Sequence, residues 1–229
     1  MQCAILCGGY ATRLYPLTQT VAKSMLLFKG KPFLEHQLNL LKKSKIREIV
    51  LITGFLENQI VDYFGSGKKF GVELSYCQGN QYFGTAYALL RAKPQLQEQF
   101  LLMYGDSYLQ MDYSQVWEYF LKQNALAMMA VRKNTRAQVV NNLDVRNGWV
   151  TAYDSHDSKK HAFIDYGLTV LQKKVLDALP IPLDFQHSQL FQFLVKQKQL
   201  LAFETQAPIY EIGSFEGLEK FKQFAEKNL

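Results

Sequence analysis

The sequence predicts an α/β fold with a largely parallel central sheet, because strand-like and helix-like segments alternate along its first half. Residues 48–53, EIVLIT, form a β-branched run of the kind that is buried on both faces of a parallel sheet. Residues 33–43 place apolar side chains on one face of a helix, and residues 56–64 form a second helix that ends at Gly65. Alternation of this kind is typical of helices packed on a parallel sheet.

The first strand is predicted at residues 3–7, an apolar run that is followed by Gly8 and Gly9. Glycine lets the backbone come close to a ligand, and the loop after an α/β strand is where such folds usually bind one. Its N–H groups could hold an anion, and Arg13 and Lys23 would add full positive charges. The pattern predicts a polyphosphate site, although paired glycines alone are equally consistent with a structural turn.

A strand at residues 72–77 is followed by a helix at residues 85–92, and Gly84 and Thr85 stand where that helix begins. The free N–H groups of a helix start favour an anion or the polar edge of a nucleobase. A plain helix cap explains the same two residues, so both interpretations stay open.

A buried strand beginning at residue 100 ends at Gly105 and Asp106. An acid at this position is either a turn residue or a ligand of magnesium, which prefers one or two carboxylates and keeps several waters. A helix at residues 113–122 and a strand at residues 125–132 follow.

The second half begins with a predicted antiparallel hairpin. Residues 138–145 and 149–153 alternate in polarity around Asn147 and Gly148, the strongest short hairpin signal in the chain. Residues 154–161 have no periodicity and are predicted to form a loop.

The remaining segments alternate again. Strands are predicted at residues 162–171 and 200–205, and helices at residues 173–179 and 186–198. A closing helix follows the IYEIGS segment, with Ser214 as its N-cap.

Composition excludes several classes of protein. The net charge is +6 and the pI about 9.1, but the basic residues are scattered and no nucleic-acid motif is present. No apolar run is long enough for a transmembrane helix, and no secretory signal precedes the first strand. Three cysteines are too few for a disulfide framework, so we expect a cytoplasmic protein that binds neither membrane nor nucleic acid.

The motifs together closely resemble the sugar-1-phosphate nucleotidylyltransferases. The string CGGYATRLYPLT, then KSML and GKP, is similar to that family's signature GGxGTRLxPLT…PKxML…GKP. Ala11 stands where the family has glycine, and Ala22 replaces the proline before Lys23. The later strings FGTAYALLRA, GDSY, DYGLTVL and EIGS resemble family elements in the same order, with Glu211 in place of an aspartate.

The resemblance assigns a role to each motif. It implies that the nucleotide is bound by Leu6, Gly8, Gly9, Thr12, Arg13, Gln78, Gly84 and Thr85. It implies that Arg13, Lys23 and Asp106 are catalytic and that Asp106 and Glu211 hold Mg²⁺. It implies that the sugar phosphate is contacted by Asp165, Tyr166, Gly167 and Lys159. From the residues alone, Asp165 and Glu211 could be strand-end acids, and Lys159 a surface lysine.

The resemblance implies one Rossmann-like three-layer sandwich over residues 1–229, with a mixed, mainly parallel sheet. The first half would bind a nucleoside triphosphate and the second half a sugar 1-phosphate, giving a nucleotide sugar and pyrophosphate. Heptose or mannose 1-phosphate with GTP is weakly favoured, for precursors of surface polysaccharides. A cytidylyltransferase for phosphocholine, a non-catalytic nucleotide-sugar sensor and a glycosyltransferase are the alternatives. The last would need a D-x-D motif, which the segment beginning at Asp106 lacks.

Overall fold

The computed structural model describes residues 1–79, 84–133, 142–154, 161–179, 182 and 184–229. The strands in this part of the chain are β1 (Gln2–Leu6), β2 (Leu27–Phe28), β3 (Lys31–Pro32), β4 (Glu48–Thr53), β5 (Glu73–Gln78), β6 (Gln99–Tyr104), β7 (Ser107–Leu109), β8 (Ala127–Lys133), β9 (Leu143–Arg146), β10 (Trp149–Tyr153), β11 (Phe163–Gln172), β12 (Leu200–Glu204) and β13 (Ile209–Glu211). The α-helices are α1 (Phe33–Lys43), α2 (Glu57–Phe64), α3 (Thr85–Ala92), α4 (Tyr113–Leu121), α5 (His187–Lys196) and α6 (Phe215–Asn228).

Nine of the described strands form one mixed sheet in the order β5-β4-β1-β6-β11-β8-β12-β10-β9. The β5, β4, β1 and β6 strands are parallel neighbours, as are β8 and β12. Within this sheet, β11 and β10 run in the direction opposite to the other described strands. Strand β11 is antiparallel to β6 and β8. Strand β10 is antiparallel to β12 and β9. Seven of the nine described strands therefore run in the same direction, which agrees with the mixed, mainly parallel sheet that the resemblance implies, and the sheet joins the two halves of the chain.

Both faces of the sheet are buried, because alternate residues of its central strands enter two different hydrophobic clusters. In β4, Val50 and Ile52 pack on one face, while Ile49 and Leu51 pack on the other. Helices α3 and α5 cover the first face, and α1, α2 and α4 cover the second. This is the three-layer arrangement that the sequence predicts.

A third hydrophobic cluster fixes α6 beside the short β7–β13 pair. Phe221 and Phe224 of α6 pack against Tyr108 of β7 and against Ile212, which follows β13. Ser214 caps α6 by accepting a hydrogen bond from the Gly217 N–H at 3.0 Å, as predicted. The packing therefore holds β13 against β7, the strand that begins directly after Asp106.

Most predicted elements agree with the structure within a few residues at each end. The exception is the helix predicted at residues 173–179, where the chain forms a 3₁₀ helix over Lys173–Asp177. The first part of the predicted hairpin, residues 138–141, lies outside the described residues. Among the described residues, no helix is long and apolar enough to span a membrane.

Candidate functional site

Glycine stands at the carboxyl end of each of four neighbouring parallel strands. These residues are Gly79 after β5, Gly54 after β4, Gly8 after β1 and Gly105 after β6. A Cβ on Gly8 would lie 2.8 Å from the Thr53 carbonyl oxygen, and a Cβ on Gly54 would lie 2.6 Å from that of Gly8. Because Cβ atoms do not approach backbone so closely, the strand ends form a floor of bare main chain, the glycine floor.

The loop after β1 keeps a left-handed residue although it carries alanine there. Ala11 has φ 52° and ψ 43°, and its carbonyl accepts hydrogen bonds from the Leu14 N–H and from Thr18 Oγ1, each at 2.9 Å. A Cβ on Gly9 would meet no atom within 4 Å, so this glycine faces open space. The conformation directs Arg13 toward the cleft despite the change from glycine.

The segment before Lys23 is held by a side chain from α2. Gln59 accepts a hydrogen bond from the Ala22 N–H at 2.9 Å and donates one to the Thr20 carbonyl at 2.8 Å. Ala22 has φ −60°, the value that proline would impose. Gln59 therefore fixes the backbone where the proline of the motif is missing.

Lys23 and Asp106 form an ion pair across the cleft, with 2.6 Å between Lys23 Nζ and Asp106 Oδ2. The turn that carries Asp106 is fixed by Gln37 of α1, which is fully buried. Gln37 Nε2 donates to the carbonyls of Tyr104 at 3.0 Å and Ser107 at 2.7 Å. Asp106 is thus held in place from both sides of its turn.

Glu211 reaches the same position from the other end of the chain, because β13 pairs with β7 and sets Glu211 opposite Ser107. Glu211 Oε2 accepts a hydrogen bond from the Gly213 N–H at 2.5 Å, and Oε1 accepts one from Ser214 Oγ at 2.5 Å. Both bonds orient the carboxylate beside the start of α6.

The two acids converge on one space. A Cβ on Gly213 would lie 3.0 Å from Glu211 Oε2 and 3.3 Å from Asp106 Oδ2, so both carboxylates come close to the same glycine. The described residues contain no cluster of three or more His, Cys, Asp or Glu suited to a metal. Two carboxylates that meet beside one glycine fit Mg²⁺, which completes its shell with water and phosphate oxygens.

Asp165 organises the part of the cleft next to β11. Its Oδ2 accepts hydrogen bonds from Tyr104 Oη at 2.7 Å and Tyr153 Oη at 3.0 Å, and its Oδ1 accepts one from the Gly167 N–H at 2.8 Å. Burial, together with the Asp165 carboxylate, raises the pKa of both tyrosines, so their hydroxyls stay protonated as donors. Gly167 has φ 81°, which favours glycine, and packs against Ser107.

A cavity of about 380 Å³ lies at the carboxyl ends of the parallel strands, lined by the glycine floor together with Arg13, Lys23 and Asp106. Its size is within the range of small-molecule sites. The predicted residues that line it are Leu6, Gly8, Gly9, Arg13, Lys23, Thr85 and Asp106.

Comparison with known proteins decides the family. Residues 3–139, more than half of the chain, match the family model for nucleotidyl transferases. The chain belongs to the nucleotidyl transferase family. The resemblance found in the sequence motifs is thereby confirmed.

Individual relatives of this nucleotidyl transferase differ in how much of their length is matched. The bifunctional protein GlmU of Methanococcus vannielii is 33% identical over 131 residues, which are 57% of this chain and 30% of that relative. The D-glycero-alpha-D-manno-heptose 1-phosphate guanylyltransferase of Campylobacter jejuni is 27% identical over 196 residues, covering 84% of this chain and 85% of that relative. HddC from Yersinia pseudotuberculosis, crystallised in complex with GMP-PN, has a TM-score of 0.84 at 23% identity, covering 97% of this chain and 98% of that one. The last likeness confirms the Rossmann-like fold.

Several predicted residues of this nucleotidyl transferase do not line the cavity, among them Gly84, Asp165, Gly167 and Glu211. Thr12 is exposed, and Gln78 is exposed and donates a hydrogen bond to Glu57. Tyr166 is fully buried in the core, where its hydroxyl bonds the Ala207 carbonyl, because side chains alternate along β11 and Tyr166 faces away from Asp165. Lys159 lies outside the described residues.

The start of α3 is closed by the protein itself, which favours the structural interpretation of Gly84 and Thr85 over a site for an anion. The Phe185 carbonyl accepts hydrogen bonds from the N–H groups of Ala86 at 3.0 Å and Tyr87 at 3.2 Å. A Cβ on Gly84 would overlap the carbonyl oxygens of Asp184 and Phe185. Gly84 therefore allows a close approach of the chain's own backbone, and the amides of the first turn are not available to an anion.

His187 lines the cavity but was not among the predicted residues. It is the first residue of α5, and its Nδ1 lies 2.8 Å from Thr85 Oγ1 of α3. Its ring packs on Tyr104, with 5.0 Å between the ring centroids. A histidine in a segment without a motif gave no sequence signal, because the contact joins residues 102 positions apart.

Proposed function

We propose that this nucleotidyl transferase joins a nucleoside triphosphate to a sugar 1-phosphate, giving a nucleotide sugar and pyrophosphate. The pairing of Lys23 with Asp106 at 2.6 Å, beside the glycine floor and near Glu211, carries the proposal. A phosphate oxygen of the sugar phosphate would bond to the α-phosphorus while the bond from that phosphorus to the bridging oxygen breaks. The electron pair leaves with pyrophosphate, so no protein nucleophile is required.

Lys23 and Arg13 would supply the positive charge that the phosphates need. Asp106 is the one hydrogen-bond partner of Lys23 Nζ among the described residues, and an ammonium has three donors. The remaining donors can therefore reach a phosphate without loss of the ion pair. Arg13 is exposed at the rim of the cavity and would contact the phosphates that depart as pyrophosphate.

Asp106 and Glu211 would hold Mg²⁺ in the space beside Gly213. The bound ion would neutralise phosphate charge and bring the two substrates together. The protein's own part is to keep both carboxylates aimed at that space. Ser214 and the Gly213 N–H hold Glu211, and Gln37 fixes the turn of Asp106.

For the acceptor we propose heptose or mannose 1-phosphate, with GTP as the donor, in the cytoplasmic synthesis of surface polysaccharide precursors. Support comes from the Campylobacter jejuni guanylyltransferase, which is matched along 85% of its length. Asp165 and Gly167 would shape the sugar end, and Lys159 would contact the sugar phosphate.

The decisive experiment is a matrix of pyrophosphate release with magnesium. ATP, CTP, GTP and UTP are each combined with a panel of sugar 1-phosphates, and CTP is also combined with phosphocholine. We expect release with at least one sugar 1-phosphate, highest for GTP with heptose or mannose 1-phosphate. Release only with phosphocholine would overturn the sugar acceptor. Nucleotide-sugar binding without release from any pair would instead identify a sensor.

A further inference from the structure

His187 carries a polar atom that the rest of the protein leaves unused. The residue is partly buried, lines the cavity and comes from the second half of the chain. Its ring is confined between Tyr104, at 5.0 Å between centroids, and Phe191, at 5.9 Å. Its backbone N–H donates to Thr85 Oγ1 at 2.9 Å, which fixes the residue to the start of α3.

The contacts of Thr85 select one tautomer of the imidazole. Thr85 Oγ1 accepts the hydrogen bond from the His187 backbone, so its own hydrogen goes to a different atom. His187 Nδ1 lies 2.8 Å from that oxygen, and Gln186 Oε1 lies 3.2 Å from it. Because the contact to Nδ1 is the shorter of the two, Nδ1 is assigned as the acceptor of the Thr85 hydrogen. Burial lowers the pKa of His187 against the opposing effect of Asp165 and Asp106, so the ring is neutral. With Nδ1 as the acceptor, the neutral ring carries its hydrogen on Nε2.

Nε2 of His187 has no hydrogen-bond partner in the described part of the chain. Nδ1 is turned to Thr85 and the ring packs on two aromatic side chains, so Nε2 is the polar atom left for the cavity. An N–H donor fixed in this way, at the border of a cleft, requires an oxygen from a ligand or from water.

We propose that His187 binds the sugar phosphate by donating a hydrogen bond from Nε2 to one of its hydroxyl or phosphate oxygens. The inference rests on the proposed function. The ring packs on Tyr104, whose hydroxyl bonds Asp165, and so it lies toward the part of the cleft that we assign to the sugar. His187 is thus a specificity residue for the acceptor.

Two substitutions separate the bond to the ligand from the bond to Thr85. His187→Asn keeps a polar atom near Nδ1 but removes the donor at Nε2, whereas His187→Gln can place an amide N–H near Nε2. We expect H187N to raise KM for the sugar phosphate roughly tenfold, the loss of one hydrogen bond to a charged ligand, and to leave KM for the nucleotide within about twofold. H187Q should recover most of this loss. Lys196→Ala, an exposed position on α5, is the control.

Three kinetic outcomes overturn the proposal. They are wild-type kinetics in H187N, an equal loss in H187N and H187Q, and a change confined to KM for the nucleotide. The second would indicate a purely structural role, and the third would assign the donor to the other substrate.

A spectroscopic test separates this inference from the proposed function. Long-range ¹H–¹⁵N spectra of the imidazoles, with H187N for assignment, should show the Nε2–H tautomer and a shift when mannose 1-phosphate is added. The Nδ1–H tautomer, or no shift on addition, overturns the inference. If no substrate pair releases pyrophosphate, the proposed function fails, and this spectrum still decides the role of His187.

Discussion

The carboxylate of Glu211 lies against the α-carbon of Gly217, in space that any side chain at position 217 would fill. A Cβ there would come within 2.5 Å of Glu211 Cδ and would also overlap the Glu211 Oε1 and carbonyl oxygens. Glutamate is one methylene longer than the aspartate of the family motif. Gly217, in the first turn of α6, provides the room for this longer acid.

Gly217→Ala should therefore disturb Glu211, at both its carboxylate and its backbone carbonyl, more than the helix. Alanine is a better helix former than glycine, but its Cβ would push the Glu211 carboxylate away from Asp106. We expect a stability loss of roughly 1–3 kcal/mol, as for other overpacked sites, and a several-fold rise in the Mg²⁺ concentration for half-maximal activity. Urea unfolding and metal titration measure the two effects. Lys222→Ala, exposed on the same helix, is the control, and an unchanged metal requirement in G217A would contradict this account of Gly217.

Asp106→Asn should abolish most activity while leaving the fold intact. The change removes a charged metal ligand and the ion-pair partner of Lys23, so turnover should fall by about 10²–10⁴. Both side chains are about a quarter exposed, at 23% for Lys23 and 28% for Asp106, so the cost in stability should be small. Pyrophosphate release and circular dichroism test this, with exposed Asp62→Asn as the matched control. Full activity in D106N would remove Asp106 from the site.

Ala11→Gly should stabilise the protein. Ala11 is left-handed at φ 52°, a conformation that costs a non-glycine residue about 1–2 kcal/mol, whereas glycine adopts it freely at an entropic cost. The net gain should be roughly 0.5–1 kcal/mol, measured by urea unfolding. Ala162→Gly is the control, since Ala162 has no positive φ and should lose stability. A loss of equal size in both variants would show that Ala11 is not strained.

Gln59→Ala should loosen the segment that carries Lys23. It removes the hydrogen bonds to the Ala22 N–H and the Thr20 carbonyl, and we expect KM for the nucleotide to rise several-fold.

Adding Ala22→Pro to that variant should restore most of the loss, because φ −60° at Ala22 suits proline and its N–H no longer has a partner. Steady-state kinetics of Q59A and Q59A/A22P compare the two. Failure of the proline to restore KM would mean that Gln59 acts in some other way than by fixing this backbone.

The parallel half of the fold could be predicted from sequence because its strands are apolar on both faces and end at glycines. The 49–52 run shows this pattern, and β4 was predicted with its observed bounds. The helix expected at 173–179 illustrates the limit. Its apolar residues do pack in the core, but burial alone does not distinguish a 3₁₀ helix from an α-helix.

The candidate site likewise has one part that could be predicted from sequence and one part that could not. Lys23 and Asp106 stand in local motifs, so their types and positions were visible, and the structure brings them together. His187 and the closed start of α3 depend on contacts between residues about 100 positions apart, which no local pattern encodes. The motif predicts Tyr166 at the sugar phosphate together with its neighbours, whereas strand alternation directs its side chain into the core.

The glycine floor places main-chain atoms where the nucleotide would rest. Any side chain at its four glycines would overlap neighbouring backbone, so these positions tolerate few substitutions, whereas the side chains around them can vary. Substitutions of the side chains at the rim can then change the preference for a base or a sugar without changing the reacting centre.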